Sequence, residues 1–287
     1  MTRTAPLALL FVAALPGAMA WGAMGHETVA YIASNYVSSS TKSFFQDLLG
    51  DTSADYLASV APWADSYRYT SAGKFTAPFH YIDANDNPPS SCGVDLDRDC
   101  GAEGCIVHAL QNYTTILISQ EASNANLQIA AKLAGDIGQP LHCEALEIGG
   151  NGIDVQYDGE DTNLHAAWDS NIPESISGGS SQSSAKSWAE ELIKEIDSGA
   201  YKAEAASWIS GLCVSSAEKQ TATALKWATD SNAYVCSTVI PDGISTVENK
   251  DLSGKYTTTA QPVVDLQIAK QGYRLAKWLD AIVAEIK

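Results

Sequence analysis

The chain has 287 residues, 45% of them hydrophobic, which is ample for one large core or two small ones. Its formal net charge of −17 excludes a surface that grips nucleic acid by long-range attraction. Any positive field at a functional site must be local, and bound metal is a compact source of one. Met1-Thr-Arg3, the apolar stretch Leu7 to Leu15 and the small-x-small triplet Ala18-Met-Ala20 read as a signal peptide over 1–20. Cleavage there would make Trp21 the first residue of a secreted, soluble domain over 21–287. The apolar stretch is too short to span a bilayer, and no later run reaches about 18 residues. Six cysteines suit an oxidising compartment. Their connectivity is not legible from composition.

From His26 to Val37 the stripe Val29, Ile32, Ala33 and Tyr36 predicts a helix. Further helices are expected over 40–49 and 54–67. The segment 78–105, with Asn87-Pro-Pro-Ser-Ser91 and three cysteines, reads as a stapled loop. Helical pattern returns over 106–119, where Asn112-Tyr-Thr114 forms an N-glycosylation sequon, and again over 125–135. Gly149-Gly-Asn-Gly152 is a tight loop. The alternation at Ile153, Val155 and Tyr157 before Asp158-Gly159 predicts a small hairpin. A short helix over 164–170, a Ser/Gly-rich surface loop over 175–184, and helices over 185–197, 217–230 and 264–286 complete the chain. No fixed-period repeat is evident. The fold class expected is all-α, a single multi-helix domain with a small hairpin and disulfide-stapled loops.

The stretch Lys132-Leu-Ala-Gly-Asp-Ile-Gly-Gln-Pro-Leu-His142 carries the most chemistry. Gly135, Gly138 and Pro140 end a helical pattern. In a continuous helix Asp136 and His142 would point about 240° apart, so the break frees His142 to turn elsewhere. A carboxylate at a helix end followed by a histidine past a forced bend suits two adjacent metals, although the stretch also reads as an ordinary capped helix. His165 and Asp169, four apart, share a helix face and are able to clasp one zinc. Near the expected new N-terminus, His26 lies close to a free amine on Trp21. His108, in Cys-Ile-Val-His-Ala-Leu, reads as structural.

Six ordered motifs span the chain from Trp21: Trp21-Gly-x-x-Gly-His26, Trp63-Ala-Asp65, Phe79-His80-Tyr-Ile-Asp83, Gly135-Asp136-x-x-Gln-Pro-Leu-His142, Gly149-Gly-Asn151 and Asn163-Leu-His165-x-x-Trp-Asp169. Together they resemble the fungal zinc-dependent single-strand-specific nucleases, with plant bifunctional nucleases and bacterial zinc phospholipases C as more distant relatives. The resemblance implies a mostly helical fold holding three zinc ions in a cleft. One zinc would lie among Asp65, His80 and Asp136. A second would share Asp136 and take His26 with the amine and carbonyl of Trp21. The third would take His142, His165 and Asp169. It further implies attack by metal-activated water with Asp65 and Arg68 as catalytic residues, Arg68 stabilising charge that develops on the phosphate. Tyr81, Asp83 and Asn151 would form a base pocket. Substrates would be single-stranded DNA and RNA and nucleotides, acted on by a monomer with no membrane association or obligate protein partner. The products would carry 5′-phosphates, with 3′-nucleotidase activity alongside. The resemblance also implies the disulfides Cys92–Cys236 and Cys100–Cys105. Cys143 and Cys213 have no counterpart in it. They are free to pair with each other, or Cys143 is a thiolate beside the metals.

The departure falls at Lys132, where relatives carry a zinc-ligand histidine four residues before the bridging aspartate. A charged ammonium has no lone pair to offer zinc. It leaves three alternatives open: a water-completed three-zinc site, a two-zinc site with altered activity, or a binding protein that has lost catalysis. Zinc phospholipase C activity is a fourth, minor one.

Overall fold

The computed structural model describes residues 21–120 and 136–286. The expected leader, the expected helix over 125–135 and Lys132 lie outside the described residues. The chain is mostly helical. α1 (Ala23–Tyr36) and α2 (Ser39–Leu49) are followed by the short α3 (Trp63–Tyr67) and α4 (Leu96–Asp99), then α5 (Ile106–Ser119). From Asp136 onward come 3-10 turns at Asp136–Gly138 and Pro140–Cys143, a hairpin of β1 (Asp154–Tyr157) and β2 (Glu160–Asn163), then α6 (Leu164–Ala166) and α7 (Ile172–Ser177). α8 (Gln182–Asp197), α9 (Ala217–Tyr234) and the long α10 (Lys255–Glu285) close the fold.

α10 is the central helix. Val264, Ile268, Trp278, Leu279 and Ile282 are buried along it, each aliphatic side chain contributing roughly 1.5–3 kcal/mol of burial. α1 lies across it with Val29, Ile32 and Ala33 buried. The crossing is close because α10 has Gly272 there. A Cβ at Gly272 would overlap the side chain of Ile32. α8 covers the other side of α1, while α9 packs on α5 and on the two 3-10 turns. Side-chain caps define several starts. Ser38, Ser181 and Ser216 accept from the backbone N–H of Thr41, Ser184 and Lys219.

The hairpin is antiparallel, with Tyr157 opposite Glu160 and Val155 and Tyr157 facing inward. Asp158 (φ +52°) and Gly159 (φ +80°) make the tight left-handed turn that the Asp-Gly pair favours. The disulfides Cys92–Cys236 and Cys100–Cys105 are both formed. Cys143 and Cys213 do not pair. Cys143 is fully buried, its Sγ lies 3.6 Å from the Ile137 carbonyl oxygen, and burial pushes its thiol up, which opposes a thiolate there.

Several expected element boundaries differ, three of them with a clear physical cause. The helix over 54–67 forms only as Trp63–Tyr67. Pro62 cannot donate and disfavours helix at Ala61, so 54–62 is a series of turns such as Ala61 N–H to Ala58 O. The surface loop over 175–184 shrinks to 178–181, since α7 runs to Ser177 and stops at left-handed Gly178 while α8 begins at Gln182. α10 begins at Lys255 rather than Val264. Three consecutive threonines and Pro262 weaken the helical pattern there, and the burial of Thr257 and Ala260 overrides it.

Candidate metal centre

The first cluster is assembled from four separate segments. α1 brings His26, α3 brings Asp65, a 3-10 turn ending at His80 brings that imidazole, and the Asp136–Gly138 turn brings Asp136. All four side chains are buried. His26 Nε2 lies 3.0 Å from Asp136 Oδ1 and 3.4 Å from Asp65 Oδ2. His80 Nδ1 lies 2.7 Å from Asp136 Oδ2 and 3.6 Å from Asp65 Oδ1. Asp136 therefore offers one oxygen to each imidazole, as a bridging carboxylate does.

Burial alone would depress the His26 imidazolium, but the charges of Asp136 and Asp65 raise it to about 9. Burial opposes ionisation of Asp136, yet His26 and His80 hold it well below the usual carboxylate range. Asp65 is raised, by burial first and by the charge of Asp136 in addition.

The second cluster is His142, His165 and Asp169. Asn163 starts α6 by accepting from Ala166 N–H, and a π-helical turn over Ala167–Asn171 sets Asp169 beneath His165. His165 Nε2 is 3.1 Å from Asp169 Oδ2, and His142 Nε2 is 3.5 Å from Asp169 Oδ1. Each imidazole is oriented through its other nitrogen: His142 Nδ1 donates to His80 O at 2.7 Å, and His165 Nδ1 to Gly149 O at 2.6 Å. That arrangement leaves both Nε2 lone pairs unprotonated in the neutral rings, 3.1 Å apart. Two lone pairs at that distance repel unless a cation or a proton lies between them. Burial would raise the Asp169 carboxyl, but His165 and His142 hold it down at about 2.

The donor sets fit divalent metal. Among the described residues, His26 Nε2, both Asp65 oxygens, Asp136 Oδ1 and Asp169 Oδ2 are buried without a hydrogen-bond partner. Two groups, His26–Asp65–Asp136 and His142–His165–Asp169, each converge within 4.8 Å. Imidazole plus carboxylate is a zinc donor set. Cys100, Cys105 and His108 also converge, but those two sulfurs are bonded to each other and His108 is exposed beside them.

A cavity of about 180 Å³ opens beside the second cluster, with His142 and His165 in its wall. Tyr81, Asp83 and Asn151 line it, as does Arg68 from the end of α3. Arg68 stands over the Tyr69 ring and its Nη2 donates to the Tyr69 hydroxyl at 3.0 Å. Asp83 is raised, by burial and by the neighbouring Asp99. Asn151 Nδ2 donates to Ile148 O, closing the loop that carries it. Trp21 is fully buried, and Gly22 N–H holds the carbonyl of Asp169 at 2.7 Å, so the start of the described chain is tied to the second cluster. Asn112 is solvent-facing on α5, while Thr114 of the same sequon is buried and accepts from Trp278 Nε1.

Three further residues line the cavity without a signal in the sequence that assigns them to it. Ile148 is 78% exposed at the cavity rim and sits at φ +58°, within a left-handed run from Glu147 to Gly150. A β-branched residue there is strained. Leu141 forms part of the cavity wall beside His142, and Glu144 lines it too, buried and accepting from Leu146 N–H. Gly149-Gly150 was a visible signal of the turn. Nothing in the sequence marked Ile148 as its exposed apolar tip.

Two buried imidazole–carboxylate clusters, one of them walling an open cavity, are the arrangement of a metal-dependent hydrolase. Residues 21–284 match the S1/P1 Nuclease family model. The chain is 52% identical to Nuclease S1 of Aspergillus oryzae, covering 99% of both chains. It is 47% identical to Nuclease P1 of Penicillium citrinum over 91% of this chain and 97% of that one. Endonuclease 3 of Arabidopsis thaliana is 29% identical over 93% and 90%. The chain belongs to the S1/P1 nuclease family. It is accordingly a nuclease with nucleic acid as substrate and a metal cofactor. No helix among the described residues is long and apolar enough to cross a membrane.

Proposed function

We propose that the protein is a secreted, zinc-dependent endonuclease that cuts single-stranded DNA and RNA to 5′-phosphorylated products and removes 3′-phosphates from nucleotides. The observation that carries this reading is a pair of buried imidazole–carboxylate clusters, the second of which, through His142 and His165, walls a cavity also lined by Arg68, Tyr81 and Ile148. His26, Asp65, His80 and Asp136 would hold the closely spaced ions, with Trp21 adding its amine and carbonyl once 1–20 are removed. His142, His165 and Asp169 would hold another. When bound, zinc supplies Lewis acidity and neutralises phosphate charge.

The chain's own groups do the rest. Asp65, buried beside His26 and His80, would accept a proton from the attacking water. Arg68, lining the cavity, offers its guanidinium to the phosphate oxygens. Tyr81 presents a ring face to an unpaired base, while Asp83 and Asn151 are placed to meet its polar edge. A base inside a duplex hides both faces, which accounts for single-strand preference. Lys132 in place of a ligand histidine favours a weaker first ion or a two-ion centre over loss of catalysis, because the other ligands and the base cavity are intact. The active form is a monomer.

Digestion of a single-stranded oligonucleotide, followed by analysis of both new ends, tests the reaction. The reading predicts 5′-phosphate and 3′-hydroxyl ends. Ends of the opposite polarity, or hydrolysis of short-chain phosphatidylcholine in place of nucleic acid, would overturn it.

A further inference from the structure

Gln139 stands between the two ligand clusters and belongs to neither. It is fully buried. Its Oε1 accepts from Leu141 N–H at 2.5 Å, bracing the 3-10 turn that carries His142. Its Nε2 donates to Asp169 Oδ1 at 2.7 Å. The main chain adds two links, Gln139 N–H to Asp136 O at 3.1 Å and His142 N–H to Gln139 O at 3.0 Å. One residue thus touches the segments of three cluster members, Asp136, His142 and Asp169.

The amide is chemically specific here. It accepts at one end and donates at the other, which a carboxylate or a thioether of similar length does not do. A glutamate would keep the bond from Leu141 N–H but set an acceptor against the Asp169 carboxylate. With Oδ1 engaged by Gln139, Oδ2 is the Asp169 oxygen left 3.1 Å from His165 Nε2 and without a hydrogen-bond partner among the described residues. The amide selects which oxygen is presented to a cation.

We propose that Gln139 is a positioning residue for the His142–His165–Asp169 site, fixing the Asp169 carboxylate and the His142 turn so that this site binds a divalent cation. The inference rests on the metal-centre reading above. Outer hydrogen-bond partners of ligands typically control affinity by about 10–100-fold.

The test titrates metal-free wild type, Gln139→Glu and Gln139→Met with Zn2+ by calorimetry and with Co2+ by visible absorption. His165→Ala assigns the signal of this site. Metal-free melting temperatures report on folding. Both variants should lose about 10–100-fold in affinity at this site alone, with the His26–Asp65–Asp136 signal unchanged. The loss in Gln139→Glu, which keeps the Leu141 bond, assigns the effect to the donor on Asp169. If one variant does not fold, the other carries the test.

Identical titrations for wild type and a folded variant would overturn the inference and leave the metal centre standing. Equal losses at both clusters alongside a lower metal-free melting temperature would overturn it in favour of a purely structural role, as would failure of both variants to fold. A wild type that takes up no metal would overturn the metal-centre reading, and this inference with it.

Discussion

Metal removal should expose how much of the fold depends on the two clusters. The structure buries seven candidate ligand side chains around them, His26, Asp65, His80, Asp136, His142, His165 and Asp169. An ion that binds the folded chain stabilises it by RT ln(1 + [L]/Kd), about 2.7 kcal/mol per site when free metal exceeds Kd a hundredfold. One ion in each cluster therefore contributes about 5 kcal/mol in total, a lower bound where the first cluster holds two. For a domain of this size each kcal/mol is about 2–4 °C, so chelation should lower the melting temperature by about 10–20 °C.

The pH dependence has a definite sign. In the metal-free chain His26 is raised from 6.5 to about 9, so its stabilising protonation is fully present below 6.5 and is lost as pH rises through about 9. That contribution is on the order of 3 kcal/mol. A metal-bound His26 carries no such proton, because metal and proton compete for the same nitrogen. The gap between metal-bound and metal-free melting should therefore widen from pH 6.5 to 9 at fixed free zinc. Scanning calorimetry with and without chelator measures it. A gap that is absent, or that narrows as pH rises, would refute the reasoning.

Three substitutions probe the rest of the site. Tyr81→Ala should weaken binding of single-stranded DNA and RNA alike by about 1–3 kcal/mol, read by titration under non-cleaving conditions, and unchanged affinity would mean that no base stacks there. Ile148→Gly removes a left-handed strain of about 1–2 kcal/mol against a glycine entropy cost of about 0.5–1 kcal/mol. Stability should hold or rise slightly while oligonucleotide affinity falls; a marked loss of stability at constant affinity would make Ile148 a packing residue. Lys132→His should add up to one zinc per chain and raise the nuclease rate most at limiting zinc. Unchanged zinc content and rate would place Lys132 away from the ions.

Much of the architecture was legible because helical spacing survives in the sequence. The stripe from Val29 to Tyr36 and the alternation at Ile153, Val155 and Tyr157 form the elements they suggest. The Gly and Pro break before His142 correctly implied that Asp136 and His142 part company, since they stand in different clusters. Tertiary effects were not legible. The start of α10 contradicts local propensity and is set by burial of Thr257 and Ala260. Ile148 lies in a left-handed turn whose Gly149 approaches the Leu141 carbonyl too closely for a Cβ, a contact that no local pattern encodes. Gln139 lay inside a recognised motif, but its bond to Asp169 crosses 30 residues and becomes visible only when the chain is folded.

The most direct measurement of the central claim compares one labelled oligonucleotide, alone and annealed to its complement, incubated with the purified protein before chelation, after chelation, and after zinc is returned. The expected outcome is rapid cleavage of the single strand, resistance of the duplex, loss of activity with the metal and recovery with zinc. Equal cleavage of both forms would contradict the role of Tyr81 and its cavity, and activity that survives complete metal removal would contradict the metal centre.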